Sequence, residues 1–151
     1  MLDSGTRAPA LALEDSGGHP WQLADQRPAR GVLLYFVRAT TCPLCTRHAR
    51  DLVARRQHFD DNGVRVAIVV PEDRATAAAW KVRHGIPYPV LVGTDPHASI
   101  GLTRKLFGTM QQSGTVLFDR DGVVRHAHGA TLPSNGYDKK GIDRAIEALR
   151  S

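Results

Sequence analysis

The residues best suited to chemistry are Cys42 and Cys45, the only two cysteines of the chain. They follow a short apolar run, Val32–Val37, and a turn over Arg38–Thr41. A C-x-x-C pair after a buried strand is a dithiol redox motif, because the second thiol stands close enough to close a disulfide with the first. Pro43 suits the first turn of a helix, where its missing N–H costs nothing. That makes Cys42 the residue at the helix start, where free backbone N–H groups and the positive end of the helix dipole stabilise a thiolate. Arg38 and Arg47 are near in sequence and add positive field.

Other chemistries fit the same letters less well. Cys42, Cys45 and His48 read as C-x-x-C-x-x-H, but no second cysteine pair completes a common zinc site. Haem attachment needs a histidine directly after Cys45, and Thr46 stands there. Two inert, buried thiols would leave the spacing and the helix-start position as coincidence. His48 lies one helical turn after Cys45, where it either tunes that thiol or simply faces solvent. Thr40 and Thr41 either hydrogen-bond the thiolate or shape the turn. His126 and His128 alternate on a strand and share a face, but no third metal ligand presents itself. Trp80 reads as helix packing in preference to a substrate platform.

The elements that must position the pair follow from periodicity. Gly31–Val37 is continuous, β-branched and aromatic, as a strand covered on both faces is. The apolar positions Leu44, Ala49, Leu52, Val53 and Phe59 recur at helical spacing, and Asp61-Asn62-Gly63 supplies the stop. Val64–Val70 is a second buried strand. Residues 73–84 are alanine-rich and helical up to Gly85. Val90-Leu91-Val92 is a short strand, and Asp95-Pro96 opens a helix expected over His97–Phe107 and ended by Gly108. Thr115–Asp119 and Val123–His128 flank Arg120-Asp121-Gly122 as a hairpin. Gly129–Gly136 is a loop, and Asp138–Arg150 is an amphipathic helix. Upstream, Leu11–Leu13 and Trp21–Leu23 flank the turn cluster Asp15–Gly18, and Pro28–Gly31 punctuates before the first strong strand. Strand alternating with helix argues for a parallel sheet with right-handed crossovers.

Length and composition bound the rest. The chain has 151 residues, 42% hydrophobic and 23% charged, which suits a single domain over 1–151 with one core. Its formal charge is +5, but the basic residues are scattered and few aromatics interleave, so no nucleic-acid partner is expected. No apolar run is long enough to span a bilayer, so no membrane partner is expected. The N-terminal stretch does not read as a secretory signal, which makes the cytoplasm the expected compartment. There a C-x-x-C disulfide is transient and catalytic.

The run Tyr35-Phe36-Val37-Arg38-Ala39-Thr40-Thr41-Cys42-Pro43-Leu44-Cys45-Thr46 resembles the active-site segment of the thioredoxin superfamily. It is most similar to the peroxiredoxin-like AhpC/TSA branch, in a subgroup that carries F-V-R-x-x-x-C-x-x-C. The resemblance extends over most of the chain, including the inserted block at 73–108 and the final hairpin with F-D-R-D-G. It implies an α/β thioredoxin fold, a central mixed sheet flanked by helices, with an N-terminal hairpin and a peroxiredoxin-type insertion. It implies a thiol-dependent redox enzyme without a cofactor, cycling Cys42 and Cys45 between dithiol and disulfide. The substrate is a peroxide or a disulfide, the reductant a thioredoxin-like protein or a small thiol, and a homodimer is allowed. The supporting positions it implies are Arg38, Thr41, Pro43, Gly114 and Thr115. Two registers remain open. On the peroxiredoxin pattern Pro-x-x-x-Thr-x-x-Cys, the proline falls on Arg38, the threonine on Cys42 and the attacking cysteine on Cys45. The distal arginine of that pattern falls on Ser113. On the thioredoxin pattern Cys42 attacks and Cys45 resolves, and the proline before Thr115 is Gly114. The alternative to turnover is a binding or metal-holding module of the same fold.

Overall fold

The computed structural model describes residues 1–27, 29–105, 110–131 and 137–150. At its centre is β3, Gly31–Phe36, in which every residue is buried. It pairs in parallel with β4, Val64–Val69, and antiparallel with β8, Ser113–Asp119. The seven-stranded mixed sheet continues outward on both sides of these strands. On one side β5, Val90–Gly93, runs parallel to β4, and β1, Leu13–Asp15, runs antiparallel to β5. The edge strand β2, Pro20–Trp21, returns from the turn at Asp15–Gly18. On the other side β9, Val124–Ala130, closes a hairpin with β8. Its turn is held by Asp119, whose Oδ1 accepts from the N–H groups of Asp121 and Val123.

Strand alternation sorts the central residues between two faces. Leu33, Tyr35, Val37 and Leu117 join the core under the helices, together with both cysteines. Val32, Leu34, Phe36, Val116 and Phe118 join the opposite core, which is covered by the N-terminal segment and by Ile100 and Leu102. Full burial of one such aliphatic or aromatic side chain contributes roughly 1.5–3 kcal/mol. Both faces of β3 therefore resist displacement, and the loop that leaves its C-terminal end starts from a fixed point.

The helix after that loop forms where Pro43 and the Cys42 cap predict it, as α1, Pro43–Ala54. It does not run unbroken to residue 61. The backbone turns at Arg55, and a short α2, Arg56–Asp61, follows. Arg55 reaches across to the Tyr137 hydroxyl and the Asp143 carboxylate, tying this corner to the C-terminal helix α5, Lys139–Leu149. Helix α3, Arg74–Arg83, is capped by Asp73, whose carboxylate accepts from the Thr76 N–H. Trp80 is 3% exposed and donates to Thr46 Oγ1, which settles its role as packing.

The helix expected over His97–Phe107 is a correction. Helix α4 covers only Pro96–Ser99. Gly101 takes a positive φ of 81°, and a Cβ there would meet the Met1 backbone nitrogen at 2.5 Å. Leu102 then turns into the second core, and β6, Arg104–Lys105, pairs with β7, Met110–Gln111. Asp95-Pro96 does open a helix, but the chain leaves it early to seat Ile100 and Leu102 in the second core. Residues 106–108 of that expectation lie outside the described residues, as do Pro28 and residues 132–136 of the expected Gly129–Gly136 loop. Gly129 and Ala130 extend β9 instead of opening the loop.

Candidate active site

Cys42 is the N-cap of α1, with extended backbone at φ −78° and ψ 115°. Its Sγ accepts the Cys45 backbone N–H at 3.4 Å. Both cysteines are free thiols, Cys42 at 2% exposure and Cys45 at none. A sulfur at a helix N-cap meets N–H groups that have no intrahelical partner, so a thiolate there gains hydrogen bonds at no cost to the helix.

The two thiols are driven apart electrostatically. Burial opposes ionisation of Cys42. The Cys45 backbone N–H, the Cys45 thiol and the Arg38 guanidinium all hydrogen-bond its sulfur, and together they outweigh burial. Cys42 therefore ionises below the ordinary thiol range. Cys45 ionises above it, chiefly because it is buried and because its hydrogen bond to Cys42 favours the protonated form. The Arg38 backbone N–H and the Tyr35 hydroxyl offset this only in part.

The supporting positions separate into those at the sulfurs and those that act elsewhere. Arg38 follows Val37, whose N–H bonds Val69, and its side chain turns to Cys42. Its Nε is buried without a hydrogen-bond partner among the described residues. Pro43 is the first helical residue, as expected. Thr41 is exposed in the turn. Thr40 is a turn builder, since its N–H and hydroxyl both donate to Glu72 Oε2, at 2.9 and 2.6 Å. Gly114 sits opposite Phe36, and a Cβ there would lie 2.5 Å from the His128 carbonyl oxygen. Its glycine is thus required by β9. Thr115 stands opposite Tyr35 on β3, with a buried hydroxyl that has no partner among the described residues. His126 lies 3.8 Å from the Asp138 carboxylate, at the start of α5.

Several residues that motif reading passes over surround the pair. The Tyr35 hydroxyl hydrogen-bonds the Cys45 sulfur and lies 3.4 Å from His48 Nδ1. Tyr137 packs against His48 with ring centroids 5.1 Å apart and the planes tilted by 36°, and it donates to Asp51 at 2.6 Å. His97 Nε2 meets the Val37 carbonyl at 2.7 Å, directly before the active-site turn. Tyr35 was visible in principle, because alternation from Leu33 and Val37 places it on the helix side of β3. The Glu72, His97 and Tyr137 contacts cross long stretches of chain and leave no local signal.

A mixed sheet with a thiolate-favouring C-x-x-C at the strand–helix junction defines a thioredoxin-fold redox protein. Residues 4–127 match the AhpC/TSA family, and the chain belongs to it. It is 31% identical over 124 residues to the provisionally named peroxiredoxin Rv2521 of Mycobacterium tuberculosis, covering 82% of this chain and 75% of that protein. The crystal structure of peroxidoxin BcpB from Mycobacterium tuberculosis superposes with a TM-score of 0.75 at 20% identity, over 96% of this chain and 97% of that one. A Chlorobium tepidum protein provisionally named thiol:disulfide interchange protein DsbE superposes with a TM-score of 0.76 at 21% identity, over the whole of both chains. At those identities the two structures speak for the fold alone. The protein is a thiol-dependent oxidoreductase of the peroxiredoxin-like class, and a binding module without turnover is not favoured. Among the described residues no helix is long and apolar enough to cross a membrane.

Proposed function

We propose that the chain, acting as one domain over residues 1–151, reduces a hydroperoxide with Cys42 as the attacking thiolate and Cys45 as the resolving thiol. The observation that carries this reading is the cap position of Cys42 with Arg38 beside it. The Cys42 thiolate attacks one peroxide oxygen, the O–O bond breaks, and the alkoxide or hydroxide leaves with a proton. The resulting Cys42 sulfenic acid condenses with Cys45, which forms the disulfide and releases water. An external thiol, from a thioredoxin-like protein or a small molecule, then restores the dithiol. Arg38 Nε, buried and without a partner among the described residues, leaves a donor free for a small oxygen substrate. The near-complete burial of Cys42 supports the same choice, because a bulky protein disulfide would need the loop to open first. Pro43 contributes by starting α1 directly after the attacking residue. Thr41 contributes as the turn before it, and Thr115 stands beside Tyr35 on the same face of the sheet. A reducing compartment suits the cycle, and the cytoplasm is the one proposed. A homodimer is compatible with this chemistry and is not required by it.

A second reading follows from the peroxiredoxin register, in which the attacking position falls on Cys45. The two are separated by single-turnover peroxide reaction of Cys42→Ser and Cys45→Ser, with dimedone trapping and mass spectrometry. The proposal expects Cys45→Ser to hold a sulfenic acid on Cys42 and Cys42→Ser to lose fast peroxide consumption. Trapping on Cys45, with Cys42→Ser still fast, would sink it.

A further inference from the structure

The resolving thiol presents a problem that the attacking thiol does not. Cys45 is fully buried and holds its proton above the ordinary thiol range, yet it has to attack sulfur as a thiolate. Some group must take that proton as the disulfide forms. The sulfur is sealed from bulk solvent, so a chain group that links it to solvent is suited to carry the proton away.

We propose that Tyr35 and His48 form a proton relay that deprotonates Cys45 during resolution. Tyr35 packs in the same core cluster as Cys45, its hydroxyl hydrogen-bonds that sulfur, and it stands 3.4 Å from His48 Nδ1. Strand β3 holds Tyr35 at no exposure, while His48 on α1 is only partly buried and opens towards solvent. The path therefore runs from the sealed sulfur to an exchangeable imidazole in two steps. Cys45 Sγ–H passes its proton to the Tyr35 oxygen as Tyr35 passes its own to His48 Nδ1. The Sγ–Sγ bond forms, the S–O bond of the Cys42 sulfenic acid breaks, and the leaving hydroxide takes a proton from solvent to become water, matching the one that His48 gives back. Afterwards Tyr35 again carries one proton and His48 returns its extra proton to solvent. No oxidant or reductant beyond the sulfenic acid is required.

The surroundings fit a relay in preference to a lone tyrosine. Burial, with the facing sulfurs, holds Tyr35 above the ordinary phenol range, so it transmits a proton and does not ionise. Burial keeps His48 below the usual imidazole range, opposed by Asp51 and assisted by Arg47, so it is neutral and ready to accept near neutrality. Tyr137 packs against the imidazole with the rings tilted by 36°, and Asp51 holds Tyr137 in turn. Arg55 donates to the same Tyr137 hydroxyl, and Lys139 lies 3.9 Å from Asp51. With Arg47, these are the charged and titratable groups that face the imidazole among the described residues. Tyr35 touches a reacting atom and is catalytic. His48 acts through it and is a positioning residue.

The inference rests on the reading that Cys42 attacks and Cys45 resolves. It is tested in the full chain with Tyr35→Phe and His48→Gln, by stopped-flow oxidation followed by timed quenching. Sulfenic acid formation and its peroxide-independent conversion to disulfide are measured separately. Both variants are expected to slow the second step roughly tenfold or more relative to the first. In the wild-type chain the second step should rise with pH through one ionisation below the imidazole range, and His48→Gln should lack that inflection. Wild-type second-step rates and an unchanged pH profile in both variants would overturn the relay. Dimedone capture on Cys45 in the wild-type chain would instead overturn the order of attack, and the relay with it.

Discussion

Replacing Arg38 with methionine isolates what the guanidinium does for Cys42. The methionine keeps the length and apolar contact of the stem and removes the charge and the donors. Three interactions favour the Cys42 thiolate: the Cys45 backbone N–H at 3.4 Å, the Cys45 thiol and Arg38. Only the last is charged, and a hydrogen bond to a charged group is worth about 1.5–3 kcal/mol. Arg38 is partly exposed, so water recovers some of this and the lower end applies. About 1.5 kcal/mol corresponds to roughly a tenfold fall in reactivity at neutral pH. The rate of Cys42 alkylation by iodoacetamide, followed against pH in a Cys45→Ser background, measures it. The Arg38→Met profile should lie at higher pH than the parent, and Arg38→Lys should fall between them because it restores charge without the fork. An Arg38→Met profile that overlays the parent would show that the guanidinium does not hold the thiolate, and the peroxide argument built on its free Nε would fall with it.

Gly114→Ala places a methyl group 2.5 Å from the His128 carbonyl oxygen and 3.1 Å from Gly129 Cα, both backbone atoms of β9. Overpacking against backbone costs about 1–3 kcal/mol, and a chain of this size loses about 2–4 °C in Tm per kcal/mol. An unchanged thermal midpoint would mean the β8–β9 spacing is looser than described. Burial lowers the pKa of His48 and of His126, with Asp51 and Asp138 respectively opposing it. The unfolded chain therefore takes up these protons first, from about pH 6.5 downward, so their contribution to stability is complete above that pH. It is lost as pH falls towards the folded values. Urea midpoints should drop across this window, and a flat midpoint would contradict the buried, neutral state of both rings.

The proton path and the tight hairpin contact arise from register, and register is not a local property. Tyr35 falls opposite Thr115, and Gly114 opposite both Phe36 and Gly129, only because β8 pairs with both neighbours in one alignment. A one-residue slip would send each side chain to the other face. The same distinction separates elements set by their own sequence from elements set by distant partners. Pro43, Asp73 and Asp138 announce their helices because each acts on its own first turn. The short α4 and the turn at Arg55 answer to partners distant in sequence: Met1 at Gly101, and Tyr137 and Asp143 at Arg55.

What the amino-acid order determined by itself was the chemistry available: two thiols three positions apart, a buried strand before them and a capped helix after them. Those are short-range matters of spacing, apolar continuity and unpaired N–H groups. The tertiary structure decided which thiol is favoured as the anion. Cys42 and Cys45 are the same residue type, and the difference between them is made by what surrounds each sulfur. One faces a helix start and a guanidinium, and the other is sealed beneath Tyr35. That asymmetry comes from the position of α1 over β3, which no stretch of the chain specifies alone.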